Sequence, residues 1–476
     1  MIGAFQRSFV LVFLFLGAIG IGFAGPEKAI STVPVSVDPR VELISIIFRL
    51  AGAPEYGMCQ IPSYTSDIKA HFAPVAEHPV VKLARKLFEI CGVGYDAPMS
   101  VTVHLTEGLD LEERVPFFPR PKEIDDRWTS QSLREFRILA KQFVKDSNFA
   151  EFFAEHQLLF EKPVKEMEEI INKEVHLEWF SEFFKFSSPI HFRVILAINN
   201  GGCNYGARFQ NEDLLEAYCI LGVWKTDAAG KPKIDESVIP TFIHEFCHSF
   251  ANPIIDAHLC ELKKSCEKIF GYVHLAMEQM AYGHWEIMMR ETLVRTSVIR
   301  YFKKLGKTDI VKAEIESNTK RGFIWIGEFV DLFDLYEADR KKYPDIEAFM
   351  PQIVKFFEGY ASKMAAIDAT KPHVVSMSPA NDSPKVDSAI KELRVTFDRP
   401  MKQSCAWCGG GENYPETPGK SFWTADRKTC VLPVKLKPNW SYKLFLNSAK
   451  FKDFASEDGI ALDPVTYFFS TDSVTR

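Results

Sequence analysis

Apolar residues recur at intervals of three and four along 41–50 and again along 78–87, and each run leads toward a glycine, so both segments are predicted as amphipathic helices. Long aromatic-rich helices are expected to continue from 130 to 186. At 192–198 the texture changes to a compact apolar run that reads as a buried strand, opening into the loop 199–206 with its paired asparagines and glycines. A second strand is expected over 216–224, before the turn at Ala229 and Gly230. Beyond about Pro372 the helical period disappears. Short alternating runs at 392–397, 429–434, 441–446 and 465–469, separated by Gly, Pro, Asp and Asn, have the texture and size of a β-sandwich. The pattern therefore predicts an α+β protein, mainly helical in its N-terminal part and all-β at its end.

Composition adds a large interior to this picture: of 476 residues 46% are hydrophobic and 40 are Phe, side chains that each bury a large apolar area. The 57 basic and 63 acidic residues give a net charge of −6, with no concentrated run of Lys and Arg, which argues against a nucleic-acid partner. Residues 1–24 have Arg7 as their only charge, an apolar run from Phe9 to Phe23 and a small-residue exit at Ala24, the layout of a cleaved signal peptide. No second run of comparable length follows, so the mature chain is expected to be secreted or periplasmic with no stable membrane span. In that setting ten Cys permit disulfides, and a local one is expected among Cys405, Cys408 and Cys430.

The chemistry concentrates at His244-Glu245-Phe246-Cys247-His248, which fits HExxH. Positions four apart share one helix face, so His244 and His248 can direct two imidazoles at one ion, and Glu245 is placed to take a proton from metal-bound water. Asp235 and Ser237 are available as caps, Pro240 suits a first turn, and Asn252-Pro253 is expected to end the helix. Chance would give HExxH only about 0.02 times in a chain of this composition and length, which makes coincidence a weak explanation.

Catalytic zinc usually takes three protein ligands. A metzincin would continue to Gly and His, but positions 251 and 254 are Ala and Ile, so that class is excluded. The helix expected over 275–302 offers Glu278, Glu286 and Glu291. Glu291 projects from a stripe of Ile287, Met288, Val294 and Val298, where a bare carboxylate would be costly, whereas Glu286 has polar neighbours; the pattern favours Glu291. Arg295 stands one turn on, as an ion-pair or supporting partner. The Cys247 thiol, three positions after His244, is a competing ligand that the spacing permits. A further donor for the developing oxyanion could come from Tyr205, Tyr282, His284 or Arg295, and the sequence does not rank them.

The segment from His244 to Pro253, the run Glu291-Thr292-Leu293-Val294-Arg295, Asn204-Tyr205-Gly206 and the N-terminal Asp38 to Leu43 resemble a bacterial family catalogued as a domain of unknown function and regarded as secreted zinc metallopeptidases. The similarity runs from about residue 35 to 370. It implies a gluzincin-like site with His244, His248 and Glu291 as metal ligands, Zn2+ as cofactor and a zincin-like domain around them. The C-terminal hundred residues resemble bacterial Ig-like domains of the surface-layer type, on Pro372 to Pro379, Phe397 to Met401 and Phe469 to Thr471. The expected organisation is a signal peptide (1–24), a gluzincin-like metallopeptidase domain (25–370) and an Ig-like sandwich (371–476). The expected function is hydrolysis of peptide bonds in a peptide or protein substrate, with Glu245 as general base and Tyr205 and Arg295 assisting. The alternative is an inactive surface or glycan-binding protein whose Ig-like domain makes the cell-surface or glycan contact.

Overall fold

The computed structural model describes residues 33–185, 190–212, 214–448 and 450–473. The expected signal peptide lies outside the described residues. The chain is mixed α+β, with a helical N-terminal part and β-sheets at its C-terminal end. It divides into two compact units. One takes the described residues through Val175 and Ile190–Ile239; the other takes those of His176–Pro189 and Pro240–Arg476.

In the first unit the helix Pro39–Ala51 is buried almost throughout. Asp38 caps its start by accepting from the Arg40 amide, Pro39 occupies the first turn, and Gly52 closes the end in the left-handed conformation. A four-stranded sheet accompanies it. Strands Val35–Ser36, Ile190–Ala197 and Leu215–Gly222 run parallel, and Tyr205–Gln210 is antiparallel at the edge. That edge strand begins inside what the sequence reads as a loop, because Gly206 hides the inward alternation of Tyr205, Ala207 and Phe209. The turn before it depends on Gly201, whose φ is +57° and where a Cβ would run into the Met58 carbonyl.

The second unit holds the helices Ile239–Ala257, Leu259–Glu278, Trp285–Lys304, Thr308–Lys320, Ile326–Ala338 and Ile346–Thr370. Its terminal portion forms two four-stranded sheets. Val374–Ser378, Glu392–Phe397, Thr429–Pro433 and Phe422–Trp423 make one; Ser383–Val386, Val465–Thr471, Ser441–Leu446 and Trp407–Cys408 make the other. Leu393, Val395 and Phe397 from the first, with Tyr442, Leu444 and Leu446 from the second, alternate inward onto one shared core. The disulfide expected among Cys405, Cys408 and Cys430 is not formed. All ten cysteines carry free thiols, and Cys405 Sγ lies 2.8 Å from the Ser421 hydroxyl oxygen. Among the described residues no helix is long and apolar enough to cross a membrane.

Candidate metal centre

The helix Ile239–Ala257 buries one face completely. Phe242 and Phe246 meet edge to face at 4.9 Å, Phe180 lies 5.9 Å from Phe246 and 5.6 Å from Phe250, and Phe184 is 5.2 Å from Phe250. This aromatic contact fixes the rotation of the helix and leaves His244 and His248 on the less buried side, their side chains 20% and 16% exposed. The helix does not stop at Asn252-Pro253 as the sequence predicts; it runs through the proline to Ala257. The apolar face explains the continuation, because Phe250, Ala251 and Ile255 all remain buried.

The segment expected as one helix over 275–302 is two. The chain leaves helical geometry after Glu278, passes Ala281 at φ +63°, and resumes at Trp285–Lys304. Of its three acidic candidates, Glu278 is exposed, Glu286 is half-buried and Glu291 is 6% exposed. Glu291 is the one that meets the histidines. His244 Nε2 and His248 Nε2 lie 3.2 Å apart, Glu291 Oε2 is 3.7 Å from the first and Glu291 Oε1 is 3.5 Å from the second. Ligands about 2.1 Å from a tetrahedral ion would stand about 3.4 Å from one another. The imidazole–imidazole and imidazole–carboxylate separations bracket that value, each imidazole facing a different carboxylate oxygen, so the residues present suit Zn2+ in type and proximity. They form the one group of three or more such side chains found in metal-holding proximity among the described residues.

The surroundings set the protonation this chemistry needs. Burial pushes the His244 imidazole down to about 3, against the opposing pull of Glu291, so its nitrogen lone pair is available at neutral pH. Burial alone would raise the Glu291 carboxyl, but Arg295, His244 and His248 outweigh it and hold the group at about 2, fully ionised. His248 Nδ1 is 3.2 Å from Asn252 Oδ1; with the proton on Nδ1 donated there, Nε2 is left free to ligate. Glu245, next to His244, is 6% exposed.

Arg295 stands behind the carboxylate. Its Nη2 is 2.8 Å from Glu291 Oε2 and donates to the Tyr282 hydroxyl at 2.9 Å, while Nη1 donates to Asn318 Oδ1 at 2.8 Å. These engagements suit support of Glu291 better than stabilisation of an oxyanion. Tyr205 belongs to the first unit, on the strand Tyr205–Gln210, its ring stacked 6.0 Å from Tyr56 and 6% exposed. His284 is exposed and precedes the helix Trp285–Lys304. Cys247 is fully buried, and that burial pushes its thiol up, away from the thiolate a ligand requires. Two contributors escape the sequence reading. Asn252 is signalled only by its i+4 spacing from His248, and for Asn318, 23 positions beyond Arg295 on another helix, no sequence signal exists.

No curated protein matches the chain. Among solved structures it is similar to CopC from Methylosinus trichosporium OB3b, at 17% identity over 22% of this chain and 97% of that chain, with a TM-score of 0.17. It is also similar to the S-layer protein rSbsC(31-844), at 13% identity over 53% of this chain and 35% of that one, again with a TM-score of 0.17. Both likenesses are too slight to bear on fold or activity. Residues 33–356, most of the chain, match the family model described as Domain of unknown function (DUF4932), and the protein belongs to that family.

Proposed function

We propose that the protein is an exported zinc-dependent peptidase whose ion is held by His244, His248 and Glu291 in a zincin-like, gluzincin-type arrangement. The observation that carries this reading is the convergence of three side chains from two helices, the two imidazole nitrogens 3.2 Å apart and each within 3.7 Å of a Glu291 carboxylate oxygen, with a glutamate directly beside the first ligand. When bound, Zn2+ supplies Lewis-acid activation of water and of the scissile carbonyl. The chain's own groups do the rest. Glu245 orients the attacking water, accepts its proton and returns it to the leaving amine nitrogen. Asn252 keeps the His248 proton on Nδ1, and Arg295 with Tyr282 keeps Glu291 ionised and in place. The proposed substrate is a peptide or protein. Export rests on the signal-like pattern of residues 1–24. The two sheets sharing one core support an Ig-like accessory module suited to a cell-surface or glycan contact.

The test is purification with metal analysis, followed by a peptide-library assay of the parent and of Glu245→Gln. The expected result is one zinc per chain in both proteins, with cleavage in the parent and at least about a hundredfold less in the variant, the scale of a general base. A parent that holds zinc and cleaves nothing in the library would overturn the peptidase reading.

A further inference from the structure

Arg295 is 8% exposed and gripped by residues from outside its own helix. Asn318, on the helix Thr308–Lys320, accepts from Nη1 at 2.8 Å; Tyr282, in the bend before the helix Trp285–Lys304, accepts from Nη2 at 2.9 Å; and the Phe323 ring lies 4.8 Å from the guanidinium carbon. Asn318 is itself held by its own hydrogen bonds. It is 1% exposed, and its Nδ2 donates to the Glu314 carbonyl at 2.8 Å and to Glu314 Oε2 at 3.3 Å. A chain of fixed contacts thus runs from a helix that carries no metal ligand, through Arg295, to the Glu291 carboxylate.

We propose that the Asn318–Arg295–Tyr282 clamp sets the ion affinity of the site, Asn318 and Tyr282 acting as positioning residues that hold Glu291 in its ligating position before an ion arrives. The proposal rests on the metal-site reading above. Its physical basis is preorganisation. A glutamate side chain left free to rotate would have to be ordered when the ion binds, and that ordering weakens binding. The guanidinium is suited to the task because its planar fork reaches a carboxylate, a phenol and an amide at once, which a lysine ammonium on a flexible stem could not. Asn318 is suited because its own donors are already spent within its helix, so its oxygen cannot swing away. Supporting partners of this kind typically change metal affinity by about 10–100-fold.

The experiment uses the full mature chain stripped of metal with a chelator, then titrated with Zn2+ against a chromophoric competitor and, separately, with Co2+ for its visible absorption. Parent, Asn318→Ala and Tyr282→Phe are compared, with thermal unfolding of each metal-free protein as the measure of folding. The clamp predicts a zinc dissociation constant raised about 10–100-fold in Asn318→Ala, a smaller rise in Tyr282→Phe, and a Co2+ spectrum altered in both. It also predicts metal-free unfolding close to the parent's in Tyr282→Phe, which deletes one oxygen and little volume. Where Asn318→Ala does not fold, Tyr282→Phe decides. Unchanged zinc affinity and Co2+ spectrum in folded variants overturn the clamp while leaving the metal site standing. A parent that binds neither ion overturns the metal site itself, and the clamp with it.

Discussion

Glu286 and Glu291 lie five positions apart on one helix and meet different surroundings: the first is half-buried, the second is 6% exposed with Arg295 at 2.8 Å. Glu291 projects from an apolar stripe in which Met288, Val294 and Val298 are buried. A buried carboxylate must be compensated, which is why such a stripe carries information about position 291 that it does not carry about position 286. Glu291→Ala should therefore weaken zinc binding by more than the about 10–100-fold expected for loss of a supporting partner, while Glu286→Ala leaves the stoichiometry at that of the parent. The reverse result would move the ligand to Glu286. Arg295→Lys keeps the charge but cannot reach Glu291, Tyr282 and Asn318 together, so it should lower zinc affinity in the same direction as Asn318→Ala. An affinity equal to the parent's would mean that charge alone matters at this position. What no sequence pattern could supply is Asn318, whose role exists only because another helix brings it to the guanidinium.

At the scale of elements, segments were legible where one period dominated and illegible where packing overrode a local signal. The helix Pro39–Ala51 and the strands Glu392–Phe397 and Ser441–Leu446 lie where periodicity puts them. The helix Ile239–Ala257 was legible in its start and its chemistry but not in its end, since its apolar face continues past the proline to the buried Ile255. The opposite error occurs at 279–284, where apolar spacing reads through a bend that Ala281 and its left-handed backbone impose. The edge strand Tyr205–Gln210 and the two-residue strands Trp407–Cys408 and Phe422–Trp423 are too short or too interrupted for alternation to emerge. The aromatic face of Ile239–Ala257 now carries a prediction. Phe246 is fully buried against Phe180 and Phe242, so Phe246→Ala should cost about 3–5 kcal/mol in the unit that holds the site. Because the same face sets the rotation of His244 and His248, zinc affinity should fall in the same variant under conditions where it remains folded. Calorimetry with zinc titration checks both, and an unchanged affinity would separate the aromatic core from the site.

For the whole molecule a pH-linked contribution to stability lies in the other unit, at Glu42 on the helix Pro39–Ala51. The residue is fully buried, accepting from the Tyr64 hydroxyl at 2.7 Å and from the Asn199 amide at 3.3 Å. Burial pushes its carboxyl up from the ordinary 4.5 to about 7, and those two hydrogen bonds only partly oppose the shift. Between these two values the unfolded chain releases a proton that the folded chain keeps. Stability must therefore fall as pH rises through that window and stay at the lower level above it, with a total loss of about 3 kcal/mol at about 1.4 kcal/mol per pH unit. Glu42→Gln cannot ionise and keeps nearly the same shape. In urea unfolding followed from about pH 4.5 to about pH 8, the transition of the unit containing Glu42 should lose this slope in the variant, and at the alkaline end the variant should be the more stable protein. The transition of the unit containing His244, His248 and Glu291 has a pH dependence of its own, and that dependence should be the same in parent and variant, which makes it an internal reference within the same chain. Parallel pH curves for parent and variant would mean that Glu42 stays ionised in the folded state, and that the hydrogen bonds from Tyr64 and Asn199 are strong enough to cancel the cost of burying its charge.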